Sequence, residues 1–245
     1  MTRMLDLFED YRSAANLDEL WDKLHLRLAN FGITSIFYGL GGSTRLVEEQ
    51  GIMSSIWHKT SHPEEYREVF DHKYYIDDDL GSLHCIYKTT PFIWHDTSQW
   101  GNPTERQRKF MLDSFEHNMG VGVSLPVRFN HHGFGGLGLC AAETGEKEFE
   151  KMWQSKQEEI ITISHMFDEL ARDEHRADIY HLTPREKEVL CWMVAGCKSA
   201  REVAEQIGTD TSTVSDQIKS VRDKLDARSN SQAVFKALNF GLISP

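Results

Sequence analysis

Apolar residues recur along this chain at two periods, and the change from one to the other divides it. Asn16-Leu17-Asp18-Glu19-Leu20 sets a cap residue ahead of early acidic ones. Leu20, Leu24, Leu26, Leu28 and Phe31 then continue an apolar stripe to Gly32, which predicts a helix of about four turns. Ile33 to Tyr38 is β-branched and aromatic and predicts a strand, broken by Gly39-Leu40-Gly41-Gly42. Pro103 to His117 predicts a second helix, with Phe110, Met111, Leu112 and Phe115 among charged residues and a stop at Gly120. Val121 to Phe129 and Phe134 to Ala142 flank the polar tip Asn130-His131-His132-Gly133, the pattern of a hairpin. Between Lys147 and His175, Phe149, Trp153, Ile160, Ile163, Phe167 and Leu170 recur mostly every three or four residues, as in a long helix. Helices at both ends of strands imply an α/β class, an α/β/α sandwich around an antiparallel sheet. Arg172 to Asp178 is charged and lacks a stripe. It predicts a linker, so the expected organisation is a domain at 1–172, a linker at 173–181 and a second domain at 182–245.

From Leu182 onward the period is purely helical, and four short helices fit a small all-α domain. Thr183-Pro184-Arg185-Glu186 puts a cap residue, a proline at the first helical position and a capping-box glutamate in sequence ahead of Val189, Leu190, Met193 and Val194. Gly196 ends that helix. Ala200 to Ile207 forms the second, stopped by Gly208, and Asp210 caps a third that runs to about Leu225. Two short helices across a glycine turn are the helix-turn-helix pattern. In the third helix Val214, Ile218, Val221 and Leu225 share one stripe, and Ser212, Asp216, Lys219 and Asp223 fall on the opposite face. Such a polar face can enter a major groove, with Ser212, Thr213, Ser215, Asp216, Lys219, Arg222 and Lys224 as the candidate DNA contacts. The same pattern suits a solvated face of a small bundle.

Charge alters this picture by its distribution. The net charge of −11 disfavours a polyanion partner, yet residues 181–245 carry nine Lys and Arg against eight Asp and Glu, so nearly all the negative charge lies in residues 1–180. No apolar run is long enough to span a membrane, and the first residues lack the apolar core of a secretion signal. Four cysteines without a CxxC pair suit a reducing cytoplasm and give no zinc site. Among 12 histidines, His58, His62, His72, His84 and His95 crowd one region without HExxH or HxH spacing. The Gly39–Gly42 run matches no phosphate-binding loop, and Cys85 and Cys140 have no nucleophile–base spacing. No enzyme, metal or cofactor is therefore expected.

Leu182-Thr183-Pro184-Arg185-Glu186-Lys187-Glu188-Val189-Leu190-Cys191-Trp192, Gly196, Glu202-Val203-Ala204, Thr213-Val214 and Lys224-Leu225 resemble the LuxR-type DNA-binding domain over some 60 residues. The chain departs from that pattern by one extra residue between Gly196 and Glu202, by Thr209-Asp210 where Ile-Ser is usual, and by Gln217 and Ser220 where His and Asn are common. Upstream, Tyr66-Arg67, Phe70, Tyr75, Asp79 and Pro91-Phe92-Ile93-Trp94 are spaced similarly to the autoinducer-binding domain of quorum-sensing regulators. That family has Trp, Tyr, Asp-Pro and Trp at Tyr66, Phe70, Asp79-Leu80 and Trp94. The resemblance implies a pocket for an acyl-homoserine lactone or another small amphipathic signal. In it Asp79 would accept from an amide N–H, Tyr66 would donate a hydroxyl and Trp94 would wall the ring. Phe70 lacks the hydroxyl usual at its position. Phe37, Tyr38, Ile56, Trp57, Tyr75, Phe92, Trp100, Phe110 and Leu139 are candidates for the apolar lining, Leu139 standing where some relatives place a serine. Taken singly, these aromatics also suit a packed core, and Asp79 a solvated loop.

The resulting expectation is a cytoplasmic, homodimeric transcription regulator that binds a signal, a palindromic DNA operator and, in some promoters, RNA polymerase. Its dimer contact is expected along the apolar stripe of residues 149–170. The competing expectation is a regulator without its ligand, either a constitutively folded dimer or a heterodimerising antagonist.

Overall fold

The computed structural model describes residues 4–41, 44–53, 56–73, 76–130, 133–173, 175, 180–225, 227–239 and 242–243. Tyr75, the hairpin tip at His131 and His132, and most of the expected linker lie outside the described residues, as do the side chains of Phe70 and His72. The chain divides into two compact units, residues 1–172 and 173–245.

The first unit runs α1 (Met4–Arg12), α2 (Leu17–Ala29), β1 (Ser35–Gly41), α3 (Thr44–Gln50), β2 (Ile56–Thr60), α4 (Glu64–Lys73), α5 (Leu80–Tyr87), β3 (Phe92–Ile93), α6 (Glu105–Glu116), β4 (Gly122–Asn130), β5 (Gly133–Cys140) and α7 (Glu146–Asp173). Asn16 caps α2 as its sequence implies, its side chain accepting from the Glu19 N–H. Thr104 and Gln107 close a capping box on α6. The five strands form one antiparallel sheet in the order β2-β1-β5-β4-β3.

Strand parity assigns the two faces. Phe37 pairs with Gly138 and Thr60, Gly39 with Gly136 and His58, and Gly41 with Phe134 and Ile56, so these residues share one face. Ile36, Tyr38 and Leu40 share the other with Leu139, Leu137 and Trp57. On that second face Tyr38 meets Trp57 and Phe167 edge-on, and Trp21 of α2 packs on Phe167 of α7. Two expectations change here. Gly39 and Gly41 do not break the strand but lie within β1, and Trp57, Leu139 and Tyr38 belong to the α2–α7 side of the sheet.

The α7 stripe is committed as well. Phe149, Ile160, Ile163, Phe167 and Leu170 are all buried within the unit and build this core, whereas Trp153 of the same stripe is half-buried. Near its end a buried polar network ties the layers together. The Tyr38 hydroxyl donates to Asp168 Oδ1 at 2.7 Å, Arg172 Nε donates to the same oxygen at 2.7 Å, and Arg172 Nη2 donates to the Phe134 carbonyl at 3.0 Å. A Cβ on Gly135 would stand 2.2 Å from Arg172 Nη2, so only glycine admits the guanidinium there.

The second unit contains α8 (Pro184–Val194), α9 (Ala200–Ile207), α10 (Thr211–Lys224) and α11 (Asn230–Asn239). Thr183 and Glu186 form the expected capping box with Pro184 in the first turn, and Gly208 ends α9 in the left-handed region at φ 71°. Val189, Val203, Ala204, Val214 and Ile218 make the core shared by the first three helices. Asp210 precedes α10 as expected, but its side chain makes no capping bond.

Replacing Asp168 by Ala strands the Arg172 guanidinium in a buried site, and is expected to cost ~3–5 kcal/mol of unfolding free energy. Tyr38→Phe removes one neutral donor to that carboxylate, leaves the ion pair in place, and should cost less, ~1.5–3 kcal/mol. Urea unfolding followed by tryptophan fluorescence checks the ranking. Equal midpoints for the two variants would contradict it.

Candidate functional site

The sheet face opposite α2 and α7 does not pack solid. A cavity of about 530 Å³ lies between it and α4, α5 and α6, lined from the sheet by Phe37, Gly39, Ile56, His58, Thr60, Ser124, Phe134, Gly136 and Gly138. The helices add Tyr66, Arg67, Gly81, Ser82, Cys85, Ile86, Phe110, Met111 and Ser114, and Trp94 closes it after β3. Glycine makes this arrangement possible. A Cβ on Gly136 would stand 2.5 Å from Cys85 Sγ, and one on Gly81 would stand 2.3 Å from Ser124 Oγ. α5 therefore approaches the sheet at points where one of the two partners lacks a Cβ.

The polar groups in this apolar space are already tied to the protein. Asp79 is the N-cap of α5, accepting from the Gly81 and Ser82 N–H groups at 2.9 and 3.1 Å and from the Ser82 hydroxyl at 2.6 Å. Burial raises its carboxyl above the ordinary value, while the three bonds pull it back. Trp94 Nε1 donates to Ser124 Oγ at 2.8 Å, and the Ser114 hydroxyl, which donates to the Phe110 carbonyl at 2.9 Å, lies 3.4 Å from the Tyr66 hydroxyl. Burial pushes the Tyr66 phenol and the Cys85 thiol up, so both stay protonated at neutral pH. His62 Nδ1 lies 2.7 Å from Ser35 Oγ, and burial, reinforced by the nearby Arg67 cation, brings that imidazole down to about 4.

Of the residues expected at the pocket, Tyr66, Asp79, Trp94, Phe37, Ile56 and Phe110 line it. Phe92 and Trp100 instead form a cluster with Phe110 and Met111 beside it. Trp57 and Leu139 lie across the sheet, as parity requires. Ser124, Ser114, Ser82, His62 and Arg67 were not anticipated. Ser124 was within reach of the hairpin alternation, since it shares parity with Gly122 and opposes Gly138. Among the described residues no group of three His, Cys, Asp or Glu side chains is placed to hold a metal ion. No described helix is long and apolar enough to cross a membrane.

In the second unit, Val214, Ile218, Val221 and Leu225 of α10 are buried. Ser212, Thr213, Ser215, Asp216 and Lys219 are exposed together. Arg222 is partly buried, and its Nε is enclosed. Lys224 is exposed and also bonds within the domain. Its ammonium donates to both Glu186 carboxylate oxygens at 2.9 and 2.8 Å and to the His181 carbonyl at 2.8 Å. It clasps α10 to the start of α8, and 30% of its side-chain surface stays accessible. Burial alone would raise the Glu186 carboxyl, yet Lys224, the Ser220 hydroxyl and Thr183 together hold it at about 2.

A cavity-bearing α/β/α unit joined to a helix-turn-helix unit defines a ligand-binding, DNA-binding protein. The comparisons agree. Residues 16–170 match the autoinducer binding domain, and residues 180–237 match the bacterial regulatory proteins of the luxR family. The chain belongs to the LuxR family of autoinducer-binding transcription regulators. It is 22% identical over 241 residues to the transcriptional activator protein AnoR of Acinetobacter nosocomialis, covering 97% of this chain and 98% of that one. To the transcriptional activator protein SolR of Ralstonia solanacearum it is 30% identical over 138 residues, 54% of this chain and 56% of that one. The fold matches that of SdiA in complex with octanoyl-rac-glycerol at a TM-score of 0.55 and 16% identity, over 99% of this chain and 96% of SdiA.

Two outcomes follow from the geometry. Asp79→Ala should cost ~0.5–2 kcal/mol of stability with no ligand present, because it removes the α5 cap, and Asp79→Asn less. Chemical denaturation of ligand-free protein measures both. Glu186 has a folded value below its ordinary 4.5, so its contribution to stability is complete above about pH 4.5 and lost as pH falls toward about 2. Lys224→Ala should flatten that dependence in urea midpoints measured between pH 5 and pH 3. An unchanged slope would count against the clasp.

Proposed function

We propose that this regulator is controlled by a small amphipathic acyl compound, of the acyl-homoserine-lactone kind, held in the cavity of the first unit. The observation that carries the reading is a cavity of about 530 Å³ inside a folded core, mostly apolar with a few convergent polar groups. That size lies in the range of ~300–1,000 Å³ typical of small-molecule sites. Asp79 Oδ1 accepts one backbone bond, so a lone pair remains for a ligand N–H, and Tyr66 offers the nearest phenolic hydroxyl. A bound compound packs against this lining and adds stability by mass action, ~2.7 kcal/mol at a hundredfold excess over Kd.

The protein acts as a cytoplasmic homodimer on a palindromic operator, with α9 and α10 as the helix-turn-helix and Ser212, Thr213, Ser215, Asp216 and Lys219 toward the bases. Arg222 meets phosphate after a side-chain shift, and RNA polymerase is a further partner at activated promoters. A ligand-free regulator or heterodimerising antagonist is the second reading. Its support is specific: Asp79, the acceptor expected to meet a lactone, is bonded within the protein, as is Trp94, expected to wall its ring.

Mass spectrometry of an organic extract of the purified protein separates the two. A stoichiometric acyl compound is expected, and a clean extract together with no thermal shift from a lactone panel would favour the second reading. On the DNA side, Lys219→Ala should weaken operator binding by ~1–3 kcal/mol with the fold intact. Gel-shift affinity equal to wild type would refute the assignment of the α10 face.

A further inference from the structure

The exposed side of α10 carries a charge that phosphate contact alone does not call for. At 100° per residue, Ser212, Asp216, Lys219 and Asp223 fall within about 60° of one another, opposite the buried Val214, Ile218, Val221 and Leu225. They form one outward ridge with a carboxylate second in line. Two other hydroxyls of the helix are engaged elsewhere. Ser215 donates to the Thr211 carbonyl at 2.9 Å, and Ser220 donates to Glu186 Oε1 at 2.6 Å. Asp216 is exposed, and among the described residues it makes no hydrogen bond or ion pair, although Lys219 lies one turn on.

Such a carboxylate has the wrong sign for a helix that merely follows the phosphate backbone, because every phosphate it approaches repels it. The unit has little cationic surplus to offset that, with nine Lys and Arg against eight Asp and Glu over residues 181–245. Inside the major groove the base edges sort the partners. Guanine and thymine present only acceptors there, which repel a carboxylate. Adenine sets its N6 donor beside an N7 acceptor, an edge that an amide satisfies and a carboxylate does not. Cytosine presents its N4 amino group alone, and an acceptor-only side chain fits it.

We propose that Asp216 is a specificity-determining residue that requires cytosine at one position of the operator by accepting from the N4 amino group. The proposal rests on the reading that the α10 face meets the bases, and deepens it by naming the base. Lys219 stands about 4.5 Å further along the helix axis, close to the ~3.4 Å step between base pairs, so its ammonium reaches guanine N7 and O6 within one step of that cytosine. Asp216 thereby acts by discrimination more than by affinity, since it weakens binding to every sequence that lacks the cytosine.

The test is selection of duplexes from a random pool by the full chain, with and without N-octanoyl-homoserine lactone, followed by gel-shift titration of the recovered sites. Wild type should enrich a site with a near-invariant cytosine, and changing that base to guanine or thymine should weaken binding roughly tenfold. Asp216→Ala should reduce that penalty to within about twofold, keep the preferences at other positions and bind unselected duplex more tightly. Asp216→Asn should move the preference at the same position from cytosine to adenine, a switch that a merely structural role does not produce. An Asp216→Ala variant that keeps the cytosine preference, or that loses affinity equally for all sequences, overturns the role of Asp216 and leaves the DNA reading standing. So does an Asp216→Asn variant with the wild-type preference. Wild type that enriches no sequence under either condition overturns both.

Discussion

The first unit depends on one buried interaction, the Asp168 carboxylate held between the Tyr38 hydroxyl and the Arg172 guanidinium. A charge in an apolar layer is tolerated only when its lone pairs are filled and its counter-ion is fixed. Here one partner comes from the central strand β1 and the other from the last turn of α7, and Arg172 goes on to bind the Phe134 carbonyl. Phe134 itself points through the sheet toward the cavity, where it packs with Val47, Ile52 and Ile86. Backbone on one face and side chain on the other are thus set by the same residue. The β-bulge between Pro126 and Arg128, opposite Gly135 and Gly136, bends the neighbouring strand where this happens.

The cavity face shows the complementary economy. Polar atoms there cannot be left bare in an empty pocket, so the protein satisfies most of them locally, Asp79 through the first turn of α5 and Trp94 through Ser124. Local satisfaction keeps the ligand-free domain foldable, and it sets a threshold: an entering molecule has to improve on bonds that already exist.

Much of this architecture was legible in the sequence. The 3.6-residue stripe of α7, the capping boxes at Thr104 and Thr183 and the hairpin of β4 and β5 all stand where local pattern puts them. Local pattern failed where a residue's meaning is set from far away. Gly39 and Gly41 read as punctuation because a missing side chain looks alike in a turn and in a cavity wall. Trp57 and Leu139 were drawn to the pocket by resemblance, although their registers against Leu40 and Ile36 put them behind the sheet. The clasp of Lys224 on Glu186 is invisible to local pattern because the two lie 38 residues apart and the glutamate reads as the cap of α8.

The glycines of β1 and β5 have a mechanical consequence. Side chains around an engineered void can swing to new rotamers and partly fill it, but a wall made of sheet backbone has no such freedom. The sheet side of the cavity therefore keeps a fixed shape at Gly39, Gly136 and Gly138. Accommodation of solutes of different width then falls to the side chains that α4, α5 and α6 turn toward the cavity, since backbone at the glycine positions cannot swing aside as a rotamer does.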